Sequence, residues 1–88
     1  MKIEIVNTEL PRVEADEICE KVNTELEGKK WCIEIENGTP RFYSDSDTDE
    51  TYWDICWDKY NMGWYLNYGF KYVGDVRIED DINILYNR

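Results

Sequence analysis

The spacing of apolar residues changes along the chain and divides it into elements. Between Lys2 and Asn7, Ile3 and Ile5 alternate with Lys2 and Glu4, the period of a half-buried strand. The period then lengthens. Ala15, Ile18, Cys19, Val22 and Leu26 recur every three or four residues and form one helical stripe. Glu14, Asp16, Glu17 and Glu20 fall mostly off it. Pro11 suits a first helical turn and Gly28 a C-terminal cap, so a helix is predicted over about 11–27.

Trp31 to Tyr43 reads as a hairpin about Asn37-Gly38, the strongest two-residue turn signal. That turn sets Ile33 opposite Phe42 and Glu34 opposite Arg41, and both pairings are chemically sensible. Pro40 cannot donate to a ladder, which predicts a third strand that is short or at an edge.

Residues 52–73 are ambiguous. Trp53, Cys56, Trp57 and Tyr60 have helical spacing, and a strand hairpin competes with it. The hairpin is preferred because aromatic and β-branched residues favour strands. A turn at Met62-Gly63 would set Trp57 against Tyr68, Ile55 against Phe70 and Trp53 against Tyr72, with Asp54 meeting Lys71. These six apolar residues would then bury against the stripe led by Ile18 and Val22. Gly74-Asp75 is read as a further turn and Val76 and Ile78 as strand. Asp80-Asp81 breaks the pattern before a last strand with Ile82, Ile84 and Tyr86. The expected fold class is α+β: one N-terminal helix on an antiparallel sheet built largely from hairpins, a single domain over 1–88.

Composition narrows the chemistry. The 88 residues include four Trp, seven Tyr and two Phe, large surfaces that allow a short chain a core. Histidine is absent, which removes the commonest general base and every Ser-His or Cys-His pair. The N-terminus has no apolar leader, and no run approaches the ~20 residues of a membrane helix. A cytoplasmic protein is expected. Cys19, Cys32 and Cys56 are odd in number and widely spaced, fitting neither a disulfide framework nor a zinc site. They are read as reduced, mostly core residues.

Charge changes the picture most. Twenty acidic against ten basic residues give a net charge of −10. Such a chain is a poor direct binder of nucleic acid or anionic lipid, because phosphate binding needs Lys and Arg. The excess is concentrated. Residues 42–58 hold Asp45, Asp47, Asp49, Glu50, Asp54 and Asp58 and no base. The first four lie in a segment too polar for a core. Asp54 and Asp58 are expected on the solvent face of the following strand. A solvated acidic loop and a binding surface for a basic partner both fit. Same-face strand residues lie ~6.8 Å apart, and carboxylates at that spacing on a rigid scaffold could imitate a row of phosphates. Tyr52 would add an aromatic contact. The candidate partner-binding residues are therefore Asp45, Asp47, Asp49, Glu50, Tyr52, Asp54 and Asp58.

Other motifs fall short. Asp45-x-Asp47-x-Asp49 opens like a calcium loop, but Glu50 stands where Gly is needed and Cys56 where Glu is needed. No metal or cofactor is expected. Paired carboxylates do acid–base work in glycosidases, but no cleft is evident, and no enzymatic activity is expected. Tyr65 to Gly74 resembles the last conserved stretch of GNAT acetyltransferases over about ten residues. That family's pyrophosphate loop, Gln/Arg-x-x-Gly-x-Gly/Ala, is absent from the chain.

In size, acidity and aromatic content the chain resembles the small proteins that phages and mobile elements use against host defences, anti-CRISPR and other DNA-mimic inhibitors among them. The resemblance is one of overall character and not of any motif. It implies a non-catalytic, stoichiometric inhibitor, monomer or homodimer, acting in the host cytoplasm. Its partner would be a basic protein such as a nuclease or a nucleic-acid-binding effector complex. The alternatives are an immunity protein that neutralises a cognate nuclease toxin and a small protein-interaction module.

Overall fold

A computed structural model describes residues 1–46 and 48–79. Its elements in chain order are β1 (Lys2–Thr8), α1 (Arg12–Glu27), β2 (Trp31–Glu36), β3 (Thr39–Ser44), β4 (Trp53–Asp58), β5 (Gly63–Tyr68) and β6 (Lys71–Glu79). The strands form one antiparallel sheet in the order β1-β6-β5-β4-β3-β2. From β2 to β6 the chain is a meander, and β1 adds beside β6. Because β1 and β2 are opposite edges, α1 carries the chain across one face of the sheet. The fold is α+β, as the periodicity predicts.

The core lies between that face and the helix. Ala15, Val22 and Leu26 of the stripe are buried, as are Ile3, Ile5, Phe42, Trp53, Ile55, Leu66, Val73 and Val76 of the sheet. Each large side chain so buried contributes ~1.5–3 kcal/mol. The Trp53 indole N–H donates to the Glu25 carboxylate, which also accepts the Ser44 hydroxyl at 3.4 Å. The polar groups at this end of the core are thus satisfied. Pro11 sits just outside α1, in an extended conformation, and its carbonyl accepts from the Ala15 N–H at 3.0 Å. At the other end Gly28 is the cap, but Lys29 takes the left-handed conformation, φ 57°. Lys30 N–H reaches the Glu25 carbonyl at 2.9 Å and Lys29 N–H the Leu26 carbonyl at 3.3 Å, a Schellman closure.

The first hairpin has the expected register, with Ile33 opposite Phe42 and Glu34 opposite Arg41. Asn37 and Gly38 both have positive φ, 53° and 79°, the signature of a type I′ turn. β3 is not an edge strand, since β4 lies beside it. Its ladder to β4 covers only Phe42 and Tyr43. Residues flanking a two-residue turn form a hydrogen-bonded pair, and such pairs alternate along the ladder. Pro40, opposite Ile35, therefore falls at a non-hydrogen-bonded position on the β2 side. Its missing N–H faces β4, and there the two strands part.

The second hairpin corrects the expected register. Trp53 pairs with Tyr68, Ile55 with Leu66, Trp57 with Trp64, and Asp54 with Asn67 in place of Lys71. Asp58 causes the shift. Its carboxylate accepts from the N–H groups of Tyr60 and Asn61 at 2.9 and 3.3 Å and from the Asn61 amide at 2.8 Å. This Asx turn closes the hairpin over Lys59–Met62 and not at Met62-Gly63. A second turn, Gly69-Phe70 with φ 60° and 63°, then ends β5. Phe70 and Tyr72, expected in the core, are 67% and 56% exposed.

Gly74-Asp75 is not a turn. Both residues lie within β6, and a side chain at Gly74 would meet the Asn7 carbonyl oxygen at 2.2 Å. Glycine there permits close approach of β1. Register shifts between Leu66 and Asn67 and between Ile5 and Asn7 mark bulges. The first, which leaves Val73 as the extra residue of β6, lets Val73 and Val76, of opposite parity, share the core face. Asp80-Asp81 and the expected last strand with Ile82, Ile84 and Tyr86 lie outside the described residues.

Candidate protein-binding surface

The acidic segment leaves the sheet at Ser44 and returns at Trp53. The Ser44 hydroxyl accepts from the Ser46 N–H at 3.1 Å. The Thr48 carbonyl accepts from Thr51 and Tyr52 N–H at 3.2 and 2.9 Å. The Ser46, Thr48 and Thr51 hydroxyls bond to one another. Bonds among these polar groups thus brace the loop. Asp45, Asp49 and Glu50 are exposed, and none forms an ion pair among the described residues. Asp47 lies outside the described residues. Gly69 N–H donates to the Tyr52 carbonyl at 2.7 Å, which holds the loop against the β5–β6 turn.

Asp54 is on the outer face of the sheet, as alternation predicts, but its charge is already matched. Arg41 donates through one nitrogen to Glu34 at 2.8 Å and through the other to Asp54 at 2.9 Å and the Tyr52 hydroxyl at 2.6 Å. Asn67 donates to the second Asp54 oxygen at 2.9 Å. The guanidinium also lies 4.9 Å from the centre of the Tyr43 ring. The Asp54 side chain is only 14% exposed. Burial works against the Arg41 charge, but the hydrogen bonds to Asp54 and Tyr52 outweigh it and raise its pKa. This network locks β2, β3, β4 and β5 together beside the loop.

Asp58 sits four residues further along β4, about 13 Å from Asp54 at strand rise. It caps the β4–β5 turn, and the backbone N–H of Tyr60 is the main cause of its lowered pKa. The described acidic residues therefore do not form one row. Asp45, Asp49 and Glu50 lie at one end of the sheet, Asp54 is compensated, and Asp58 stands at the other end beside exposed Tyr60 and Met62.

Where β3 and β4 part, the outer face opens into a broad concavity of about 1010 Å³ lined by Arg41, Cys56, Trp57, Asp58, Tyr65 and Tyr72 among others. Burial pushes the Cys56 thiol up, which keeps it in the unreactive protonated form at neutral pH. Partial desolvation and a 2.8 Å bond to the Asp75 carboxylate push Tyr72 up to about 12. Cys32 and Cys56 are partly exposed on this face and not core residues; Cys19 packs against the core. Among the described residues no cluster of three or more Cys, Asp or Glu is placed to hold a metal ion.

Phe70 was not legible as a surface residue. It is two-thirds exposed, holds φ 63° and stacks on Tyr52 with ring centres 5.0 Å apart. A bulky residue with positive φ is uncommon, and such strain clusters at functional sites. The sequence signal was the Gly69-Phe70 dipeptide, which interrupts the aromatic run.

Among the described residues no helix is long and apolar enough to cross a membrane. Compared with models of protein families, with curated proteins and with solved structures, the chain matches none.

Proposed function

We propose that the protein is a non-catalytic, acidic inhibitor that docks on a basic nucleic-acid-binding surface of a host defence nuclease in the cytoplasm and blocks nucleic-acid access. The observation that supports this reading most is the separation of roles among its carboxylates. Asp54 is spent on Arg41 and Asn67 within the sheet. Asp45, Asp49 and Glu50 are exposed without an ion pair among the described residues. Like charges crowded on a loop repel one another in the free protein, and a basic partner relieves that repulsion on docking. Exposed Phe70, stacked on half-buried Tyr52 beside these carboxylates, supplies the aromatic anchor typical of protein interfaces. On this reading the contact surface is Asp45, Asp47, Asp49, Glu50, Tyr52 and Phe70. Asp54 holds it in shape, and Asp58 contributes only if the partner spans the sheet.

The test is affinity capture from the native host, followed by assay of the captured protein. The expected partner is a basic nuclease or effector complex, inhibited at one-to-one stoichiometry and competed by its nucleic acid. A partner with no nucleic-acid-binding activity would overturn the reading. A captured toxin encoded beside this chain would favour the immunity-protein alternative.

A further inference from the structure

The two edges of the sheet are treated differently. On β1 the outward N–H and carbonyl of Ile3 are both taken by the Asn23 amide, at 2.8 and 2.9 Å. Cys19 also contacts that carbonyl, at 3.6 Å. The helix thus stands in for a neighbouring strand. On β2 nothing among the described residues plays this part. The type I′ turn makes Glu36 and Thr39 a hydrogen-bonded pair, so Glu36, Glu34 and Cys32 face β3 and Trp31, Ile33 and Ile35 point their backbone groups outward. Ile33 and Ile35 are also 40% and 61% exposed. An open edge with exposed apolar side chains is a template for another strand.

We propose that this edge pairs with the β2 edge of a second copy, about a two-fold axis at Ile33, giving one continuous antiparallel sheet. The sequence of β2 is self-complementary in that register. Ile33 meets Ile33 of the second copy and Trp31 meets its Ile35, all residues whose backbone groups point outward, so the ladder bonds form. Apolar side chains then meet on the helix side of the sheet. On the other side Glu36 stands opposite Lys30 of the second copy, and both are exposed in the single chain. Moving the axis to Glu34 would set Glu34 against itself. Moving it to Cys32 would lose the Trp31–Ile35 and Lys30–Glu36 pairs. Such an interface is isologous and closes at two copies. It uses none of the loop carboxylates and is independent of the inhibitor reading.

Each copy carries a net charge of −10, so long-range repulsion opposes association and salt screens it. Pairing is therefore predicted to tighten with salt, the reverse of docking on a basic partner. Sedimentation velocity on the full chain, from about 5 to about 500 μM, is expected to show a monomer–dimer equilibrium that shifts toward dimer between about 0.05 and about 0.5 M salt. Lys30→Glu alone and Glu36→Lys alone should each weaken the dimer on the order of tenfold, because the pair occurs twice. The double variant Lys30→Glu with Glu36→Lys should restore it, with unchanged circular dichroism throughout. A monomer under every condition overturns the proposal. So do a dimer indifferent to the charge reversals, failure of the double variant to restore a weakened dimer, and efficient disulfide cross-linking through Cys32, which would place the axis elsewhere.

Discussion

The side chain of Asn23 bonds to both backbone groups of Ile3, accepting from its N–H at 2.8 Å and donating to its carbonyl at 2.9 Å. A helix residue thereby completes the ladder of an edge strand twenty positions earlier, and this bond pair fixes how α1 lies on the sheet. Asn23→Ala leaves the N–H without its partner and the carbonyl with only the weak Cys19 thiol contact at 3.6 Å. A loss of about 1–3 kcal/mol is expected in urea denaturation. Asn23→Asp keeps an acceptor for the N–H but cannot donate to the carbonyl, and should also destabilise.

Gly74 and Gly69 are predicted to differ in kind. At Gly74 a side chain would collide with the Asn7 carbonyl oxygen at 2.2 Å, and β1 would have to move away from β6. Gly74→Ala should cost about 3 kcal/mol or more, as overpacking at a close backbone contact does. At Gly69 the nearest group is 3.5 Å away, and only the positive φ resists. Gly69→Ala should cost about 1–2 kcal/mol. Equal losses in thermal denaturation would contradict the placement of Gly74 against β1.

Phe70 tests the register of the second hairpin. In the core, replacement by a small polar residue would cost about 3–5 kcal/mol. At the tip of the turn, with positive φ, Phe70→Asn gains a residue suited to that conformation and loses a stack worth ~0.5–1.5 kcal/mol. Stability should change by less than about 1 kcal/mol, while affinity for the captured partner falls.

The first hairpin and the helix were legible in the sequence, but the second hairpin was not. Asn37-Gly38 leaves one sensible pairing, so the register followed from two residues. In the second hairpin the expected and observed partners differ by four positions, and an even shift keeps every side chain on its face. Apolar alternation therefore identified the faces of Trp53, Ile55 and Trp57 but not their partners. The turn chemistry of Asp58 and of Gly69-Phe70 decided that. Of the acidic residues, the exposure of Asp45, Asp49 and Glu50 was readable from local polarity. The neutralisation of Asp54 was not. It depends on Arg41 arriving from β3, a contact across thirteen positions.

Acid should expose the role of Asp58. Its folded pKa lies below the ordinary carboxylate value because the Tyr60 N–H, and then the Asn61 backbone and side chain, bond to the charged form. Its contribution is complete above the unfolded pKa of about 3.9 and is lost as pH falls through the lower folded value. Asp58→Asn lacks this titration. The stability gap between wild type and Asp58→Asn should therefore narrow on acidification below about pH 4. A gap that is constant across that range would show that the turn does not depend on the charge.

Docking through the acidic loop is tested most directly by the association rate of the captured partner with wild type and with Asp45→Asn, Asp47→Asn and Asp49→Asn combined, at rising salt. Wild type is expected to associate fast and with strong salt sensitivity. The triple variant is expected to associate more slowly and weakly, with the fold unchanged, because exposed charges steer association within a screening length of ~8–10 Å. Equal rates, equal affinity and equal salt dependence in the two proteins would contradict docking through this loop.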